Sequence, residues 1–126
     1  MSVALSLVSD PVQRFGDIIE NIQKIGRFTA GMNREGFAGN EQAVHSVNYA
    51  PLIISEAAVK LGDMAAELRP EIPWADIRGL GNRLRHEYET VDAVRLWRTV
   101  ERDLPPLKTA VEAALVQLRA RGGEAE

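Results

Sequence analysis

One histidine of this chain has neighbours that could act together on a phosphate ester. His86 is one of two histidines in the sequence, and Asn82, Arg83, Arg85 and Tyr88 all lie within four positions of it. An imidazole group exchanges protons near neutral pH, and guanidinium groups bind phosphate oxygens through paired hydrogen bonds. The segment could therefore bind and cleave a phosphodiester.

The spacing of these residues predicts how a helix would present them. Asn82 and His86 are four positions apart and share a face, and Arg83 lies close to that face. Leu80 and Leu84 mark the neighbouring apolar stripe, so a second subunit could cover the polar cluster. Taken alone, however, the pattern is more typical of a solvated helix end, where basic side chains interact favourably with the helix dipole.

The composition is that of one globular domain with no overall attraction for polyanions. The chain has 126 residues, 45% of them hydrophobic and 26% charged, and its net charge is −3. This charge argues against binding to nucleic acid by bulk electrostatics, but not against a local basic cleft. Six arginines fall in one short region, namely Arg78, Arg83, Arg85, Arg95, Arg98 and Arg102. The absence of cysteine excludes disulfides, thiolate metal sites and a cysteine nucleophile.

The other polar and aromatic candidates favour packing over chemistry. His45 lies near Asn48 and Tyr49 without clustered carboxylates, so we expect neither a metal site nor a bound cofactor. Trp74 and Trp97 are expected to anchor the core or an interface. No apolar run is long enough to span a membrane, and the first residues lack the basic start of a signal peptide. We therefore expect a cytoplasmic protein.

Hydrophobic periodicity predicts helices in the first half of the chain. One runs over 11–30 and a second over 41–68, which Pro51 should kink or split. Between them, residues 31–39 are predicted to form a loop held by Phe37. Three residues have the types and positions of helix N-caps, namely Asp10, Asn40 and Asp92.

The second half continues the helical pattern. A helix is predicted over 74–88 and another over 93–104, which Pro105 and Pro106 should interrupt before a last helix over 107–121. No segment shows the alternation of a β-strand.

The sequence therefore predicts an all-α fold, an up-and-down antiparallel bundle of four to five helices. We expect the bundle domain to cover 11–121. Residues 1–10 are expected to be a flexible extension and residues 122–126 a flexible tail.

The order of several segments resembles one family of helical ribonucleases. Residues 72–88, followed by Val91-Asp92, Trp97 and residues 103–107, resemble the HepT-like branch of the HEPN ribonuclease superfamily. Upstream, residues 25–32 and 49–58 are similar to its first two helices. The resemblance extends from about Val12 to Leu118, and the order and spacing of the pieces are more specific than any one of them.

The resemblance implies a function, a mode of regulation and a set of partners. Such proteins are dimeric toxins of prokaryotic toxin–antitoxin pairs (a type VII-like system) and metal-independent endoribonucleases. The partner antitoxin is a nucleotidyltransferase that silences the toxin by attaching AMP to a tyrosine. Carried over to this chain, His86 is the catalytic histidine, Asn82 the polar residue of the motif and Tyr88 the modified tyrosine. The resemblance also implies that RNA is bound by the nearby arginines Arg78, Arg83 and Arg85.

This chain departs from the family pattern at one position. The motif arginine should precede His86 by five residues, where the sequence has Gly81, while Arg83 is too near and Arg78 too far. A second glycine close to Gly79 costs a helix about 1 kcal/mol relative to alanine, with no gain visible in the sequence. We therefore expect an impaired enzyme, through either an inactivating substitution or natural loss. The alternative is a catalytically silent helical module that dimerises and docks a nucleotidyltransferase.

Overall fold

The computed structural model describes residues 10–84 and 92–125, and it confirms the all-α fold. No strand occurs within those two ranges. The same ranges contain nine α-helices and one π-helical turn, more and shorter helices than the four to five predicted. The additional helices arise because two long predicted helices are divided at specific residues and because the predicted loop contains a short helix.

The first helix follows its prediction closely. Helix α1 spans Pro11–Thr29, and the carboxylate of Asp10 accepts a hydrogen bond from the backbone N–H of Gln13. Three of its apolar residues, Phe15, Ile18 and Ile25, are fully buried, whereas Val12 and Phe28 near its two ends are exposed. Capping, a proline in the first turn and one apolar stripe thus place this helix as the sequence indicates.

The predicted loop contains a short helix. Helix α2 spans Arg34–Ala38 and is capped by the side chain of Asn33. Its one buried residue is Phe37, whose ring lies 5.3 Å from that of Trp97, centre to centre. The prediction of a loop over 31–39 is therefore wrong in part, because Asn33 supplies a cap, but Phe37 does hold the segment to the core.

The second predicted helix is divided twice. Helix α3 spans Glu41–Asn48, α4 spans Ala50–Leu61 and α5 spans Asp63–Leu68. The first division confirms the effect of Pro51, which lies in the first turn of α4, where its missing N–H costs nothing. The second division, at Gly62, was not predicted. The φ angle of Gly62 is 57°, a left-handed conformation that favours glycine and ends the helix.

The predicted helix over 74–88 is also interrupted. Helix α6 spans Trp74–Arg78 and helix α7 spans Leu80–Leu84, with Gly79 between them. The remainder of the prediction, residues 85–88, lies outside the described residues.

The last part of the chain is more continuous than predicted. Helix α8 spans Ala93–Arg98, a π-helical turn spans Thr99–Asp103, and α9 spans Leu104–Ala125. The side chain of Asp92 caps α8, as expected. Pro105 and Pro106 do not separate two helices, because they lie in the first turn of α9 and the wider π turn precedes them.

Helix α9 also runs past its predicted end at residue 121. A glycine weakens a helix by about 1 kcal/mol relative to alanine but does not forbid it. Residues 122–125 are accordingly helical, and the predicted tail begins inside α9.

The core lies around α1. This helix packs along α4 and α9 and also contacts α3, while α6 and α7 both pack on α4. Trp74 and Trp97 are 3% and 8% exposed, which confirms their expected role as core anchors. Trp74 packs edge-on against Phe15 and donates its indole N–H to the backbone carbonyl of Arg69. The helices that carry the start of the histidine segment are therefore fixed on α4.

Candidate functional site

The structure describes the first part of the predicted site. Arg78 ends α6, and Gly81 and Asn82 lie in the first turn of α7. Arg83 also lies in α7, but its side chain is outside the description, and Arg85, His86 and Tyr88 lie outside the described residues. The described part of the site is therefore formed by α6, the start of α7 and the helix α4 on which they pack.

A serine of α4 is inserted between α6 and α7. The hydroxyl of Ser55 donates to the backbone carbonyl of Ile77 at 3.0 Å and accepts from the backbone N–H of Gly81 at 2.8 Å. Ile77 and Gly81 are four residues apart, so in an unbroken helix they would bond directly to each other. A side chain inserted into the series of backbone hydrogen bonds of a helix is a known cause of helix breaks. Ser55 is 5% exposed, and its hydroxyl satisfies both backbone groups.

At Gly81, α7 lies close against α4. A Cβ atom at this position would be 3.1 Å from Cδ1 of Leu52, 3.3 Å from its Cα and 3.5 Å from Oγ of Ser55. Gly79, in contrast, has only ordinary contacts, the nearest at 3.6 Å to the carbonyl of Ala75. The structure thus offers a packing reason for glycine at 81 that is not visible in the sequence. The lack of a side chain at Gly81 permits the close packing of the two helices.

A groove opens on the outer side of this contact. It has a volume of about 270 Å³ and lies between α4 on one side and α6 and α7 on the other. The residues that line it are Leu52, Ser55, Glu56, Val59, Lys60, Arg78, Gly81 and Asn82. We call this the α4–α7 groove. It brings together three of the residues singled out from the sequence, Arg78, Gly81 and Asn82.

The charges of the groove come from both sides. Lys60 and Arg78 are exposed cations on α4 and α6, Glu56 is an exposed carboxylate on α4, and Asn82 is an exposed amide on α7. Among the lining residues whose side chains the structure describes, the formal charge is therefore +1, in a chain whose net charge is −3. Such a local excess of positive charge in a concave surface suits an anionic group.

Sequence reasoning missed the contribution of α4. The residues Leu52, Ser55, Glu56, Val59 and Lys60 follow helical spacing and therefore share one face. The spacing could have been recognised as one face of a helix, but the sequence of α4 does not indicate which other helix packs against that face. The signal available was a serine on the otherwise apolar buried face of α4, because a buried hydroxyl requires partners.

The other candidates do not join the groove. His45 is exposed on α3, and Arg95, Arg98 and Arg102 lie on α8 and the π-helical turn. None of these four lines the groove among the described residues. The arginine-rich region of the sequence is thus divided between separate elements.

A second cavity, of about 290 Å³, is acidic. Glu71, Asp76 and Asp103 line it together with apolar residues of α6 and α9. A hydrogen bond from its own backbone N–H lowers the pKa of Glu71, desolvation opposes this, and the guanidinium of Arg69 lowers the pKa further. The cavity therefore carries negative charge at neutral pH, which is unsuited to a phosphate group.

The described ranges contain neither a cluster of metal ligands nor a membrane-spanning helix. Within residues 10–84 and 92–125, His, Asp and Glu do not form a group of three or more that could hold a metal ion. Over the same part of the chain, the helices are too short or too polar to cross a bilayer.

Comparison with known proteins identifies relatives across most of the chain. The family model described as "Ribonuclease HepT-like" matches residues 18–114. A protein of Thermococcus cleftensis named "Probable ribonuclease HepT" is 36% identical over 96 residues, which cover 76% of this chain and 87% of the relative. "Putative RNase MJ1380" of Methanocaldococcus jannaschii is 33% identical over 96 residues, covering 76% and 88%. No solved structure matches the chain.

Proposed function

Because the chain belongs to the HepT-like ribonuclease family, we propose that it is the toxin of a toxin–antitoxin pair and acts on RNA as a metal-independent endoribonuclease. The observation that carries the proposal is the family match over residues 18–114, which includes Asn82, His86 and Tyr88 in the order of the family motif. The α4–α7 groove supports it, because its exposed cations lie beside the helix that leads to His86.

The proposed reaction is an internal transesterification of RNA. His86 takes the proton of a ribose 2′-hydroxyl, the 2′-oxygen attacks the adjacent phosphorus, and the bond to the 5′-oxygen breaks as that oxygen gains a proton. The products are a 2′,3′-cyclic phosphate and a 5′-hydroxyl. Proton transfer of this kind contributes about 10²–10⁴-fold. Asn82 orients the phosphate or His86, and DNA is not cleaved because it lacks the 2′-hydroxyl.

The residue at 81 sets the level of activity in this proposal. An arginine at that position would stabilise the charge of the pentacovalent transition state. Loss of one such donor costs about 10²–10³-fold in rate. Since Gly81 offers no side chain, we expect RNA binding to persist while cleavage is strongly reduced.

Restoring the cation tests the proposed activity. Gly81→Arg is expected to gain RNA cleavage in vitro and to arrest growth on expression. The added side chain must displace Cδ1 of Leu52, so Gly81→Ala is the control for folding. Adding His86→Ala to Gly81→Arg should abolish both effects without unfolding the protein. A folded Gly81→Arg protein that neither cleaves RNA nor arrests growth would refute the proposal.

The regulation proposed for this toxin acts through Tyr88. A cognate nucleotidyltransferase attaches AMP to its hydroxyl, placing a bulky anion two residues from His86, where it repels RNA phosphate. We propose that the toxin is a cytoplasmic homodimer with this transferase as its partner. Incubation with the transferase and ATP should add one AMP by intact mass, and Tyr88→Phe should remain unmodified. Addition of AMP to Tyr88→Phe would assign the modification to another residue.

A silent docking module is the second candidate, and the packing at 81 favours it. Glycine fits the close approach of α7 to α4. Such a packing role is expected if glycine is selected at this position, and it is not expected if an arginine has simply been replaced. In that case the protein would co-purify with the transferase, and Gly81→Arg would gain no activity. The two candidates therefore differ in the outcome of the same substitution.

A further inference from the structure

We propose that the α4–α7 groove binds one unpaired RNA nucleotide, with Lys60 and Arg78 holding its phosphate and Leu52 and Val59 contacting its base. This proposal rests on the proposed function, since it names a binding site for the RNA substrate. It adds α4 to the substrate-binding surface, which the motif around His86 does not include.

The apolar side of the groove has the character of a binding surface. Val59 is 57% exposed although it lies on a helix whose other face forms the core. Leu52, two turns earlier, is half-buried and faces the same groove. The two side chains present an apolar wall of α4 to solvent, against which the flat face of a base can make dispersion contacts.

The charged side of the groove fits a phosphodiester. Lys60 lies on α4 and Arg78 on α6, so the two cations line the groove from the two helices on either side of it. The guanidinium of Arg78 can offer two parallel N–H groups and Lys60 a compact charge. Glu56 is the one opposing charge among the lining residues, and it leaves the formal balance at +1.

The size and the polar end of the groove limit the ligand. At about 270 Å³ it lies just below the usual range for drug-sized ligands, about 300–1,000 Å³, so it accommodates one nucleotide rather than several. The exposed amide of Asn82 offers both a donor and an acceptor to a base edge. Bases of a duplex are stacked and paired, so a single strand is required to insert one.

Fluorescence anisotropy with a short labelled oligouridine tests the assignment on the full chain. Lys60→Gln and Arg78→Gln should each weaken binding by about threefold to tenfold and reduce the slope of log affinity against log salt by about 0.7. Lys24→Gln and Arg27→Gln remove the same charges from α1, outside the groove, and should change neither quantity. Glu56→Gln should strengthen binding, because it removes the opposing charge.

Two further ligands separate a nucleotide site from simple charge attraction. Double-stranded RNA should compete at least about tenfold less well than the single strand per phosphate. An oligonucleotide with abasic sites should also bind more weakly, because it lacks the base that contacts Leu52 and Val59. Equal binding of all three ligands would overturn the assignment of the apolar wall.

The outcomes distinguish this proposal from the proposed function. If the folded wild-type protein binds no RNA, both are overturned. If it binds RNA but Lys60→Gln behaves like Lys24→Gln, the groove assignment alone fails. If Lys60→Gln and Arg78→Gln instead change the sedimentation mass, the groove belongs to contact with a second copy, and the nucleotide site is again refuted.

Discussion

Replacement of Gly81 by alanine tests the packing of α7 on α4. The added Cβ would lie 3.1 Å from Cδ1 of Leu52 and 3.3 Å from its Cα. The first contact can be relieved by rotation of a side chain, but the second involves the backbone of α4. Crowding of this kind costs about 1–3 kcal/mol.

Two effects of opposite sign decide the result of Gly81→Ala. Alanine stabilises a helix by about 1 kcal/mol relative to glycine. Subtracting this gain from the crowding cost leaves a loss of about 0–2 kcal/mol. Because Cα of Leu52 moves only with α4, we expect the upper half of that range. At roughly 4 °C per kcal/mol for a domain of this size, Tm should fall by about 4–8 °C.

Gly16 provides the matched control for this substitution. It lies within α1, and a Cβ there would meet nothing within 4 Å. Gly16→Ala should therefore raise the free energy of unfolding by about 1 kcal/mol. Urea denaturation of both variants measures the difference. Adding Leu52→Ala should make the further effect of Gly81→Ala less unfavourable, since one of the two close contacts is removed.

The effect of Gly81→Ala on stability decides whether glycine is required at this position. If Gly81→Ala stabilises the protein as much as Gly16→Ala, the approach of α7 to α4 does not require glycine. The absence of an arginine at 81 would then have no structural explanation, and loss of the motif residue would be the better account.

Three further substitutions test the elements that support the groove and the core. Ser55→Ala should destabilise the protein by about 1–3 kcal/mol in urea denaturation, because two buried backbone groups lose their partner; a loss below 0.5 kcal/mol would mean that the helix closes without it. Phe37→Ala should cost about 3–5 kcal/mol, because the ring is fully buried against Trp97; retention of the wild-type Tm would contradict this. Asn40→Ala should cost about 1 kcal/mol, since its side chain caps α3, whereas Asn40→Asp should keep most of the stability.

Capping residues and prolines in the sequence predicted the helix boundaries that these same residues set. The N-caps Asp10, Asn40 and Asp92 each accept the expected backbone hydrogen bond. Pro51 divides the second predicted helix because a proline cannot donate within a helix but is tolerated in its first turn. Such features act within four residues along the chain and can be recognised in the sequence.

Features that depend on distant residues were not predicted. The break between α6 and α7 is caused by Ser55, which is 22 residues before Ile77 and 26 before Gly81. The tight packing at Gly81 likewise depends on Leu52. No periodicity within 74–88 contains this information, so the sequence indicated one helix there and gave no packing reason for Gly81.

The sequence identified some of the residues that line the groove and missed others. Arg78 and Asn82 were identified from the histidine segment, and the structure places both at one groove. Lys60 and Glu56 were not identified, because their relevance depends on which face of α4 meets α6 and α7. The roles of His86 and Tyr88 remain predictions, since both lie outside the described residues.

The two hydrogen bonds of Ser55 also couple the position of α7 to that of α4. Because the N–H of Gly81 is bonded to a side chain of α4 and not to the carbonyl of Ile77, the start of α7 is mechanically attached to α4. Because the same hydroxyl also bonds the carbonyl of Ile77, a tilt of α4 is expected to move the end of α6 and the start of α7, including Asn82, together. A contact made elsewhere on α4 is therefore linked through Ser55 to the position of Asn82.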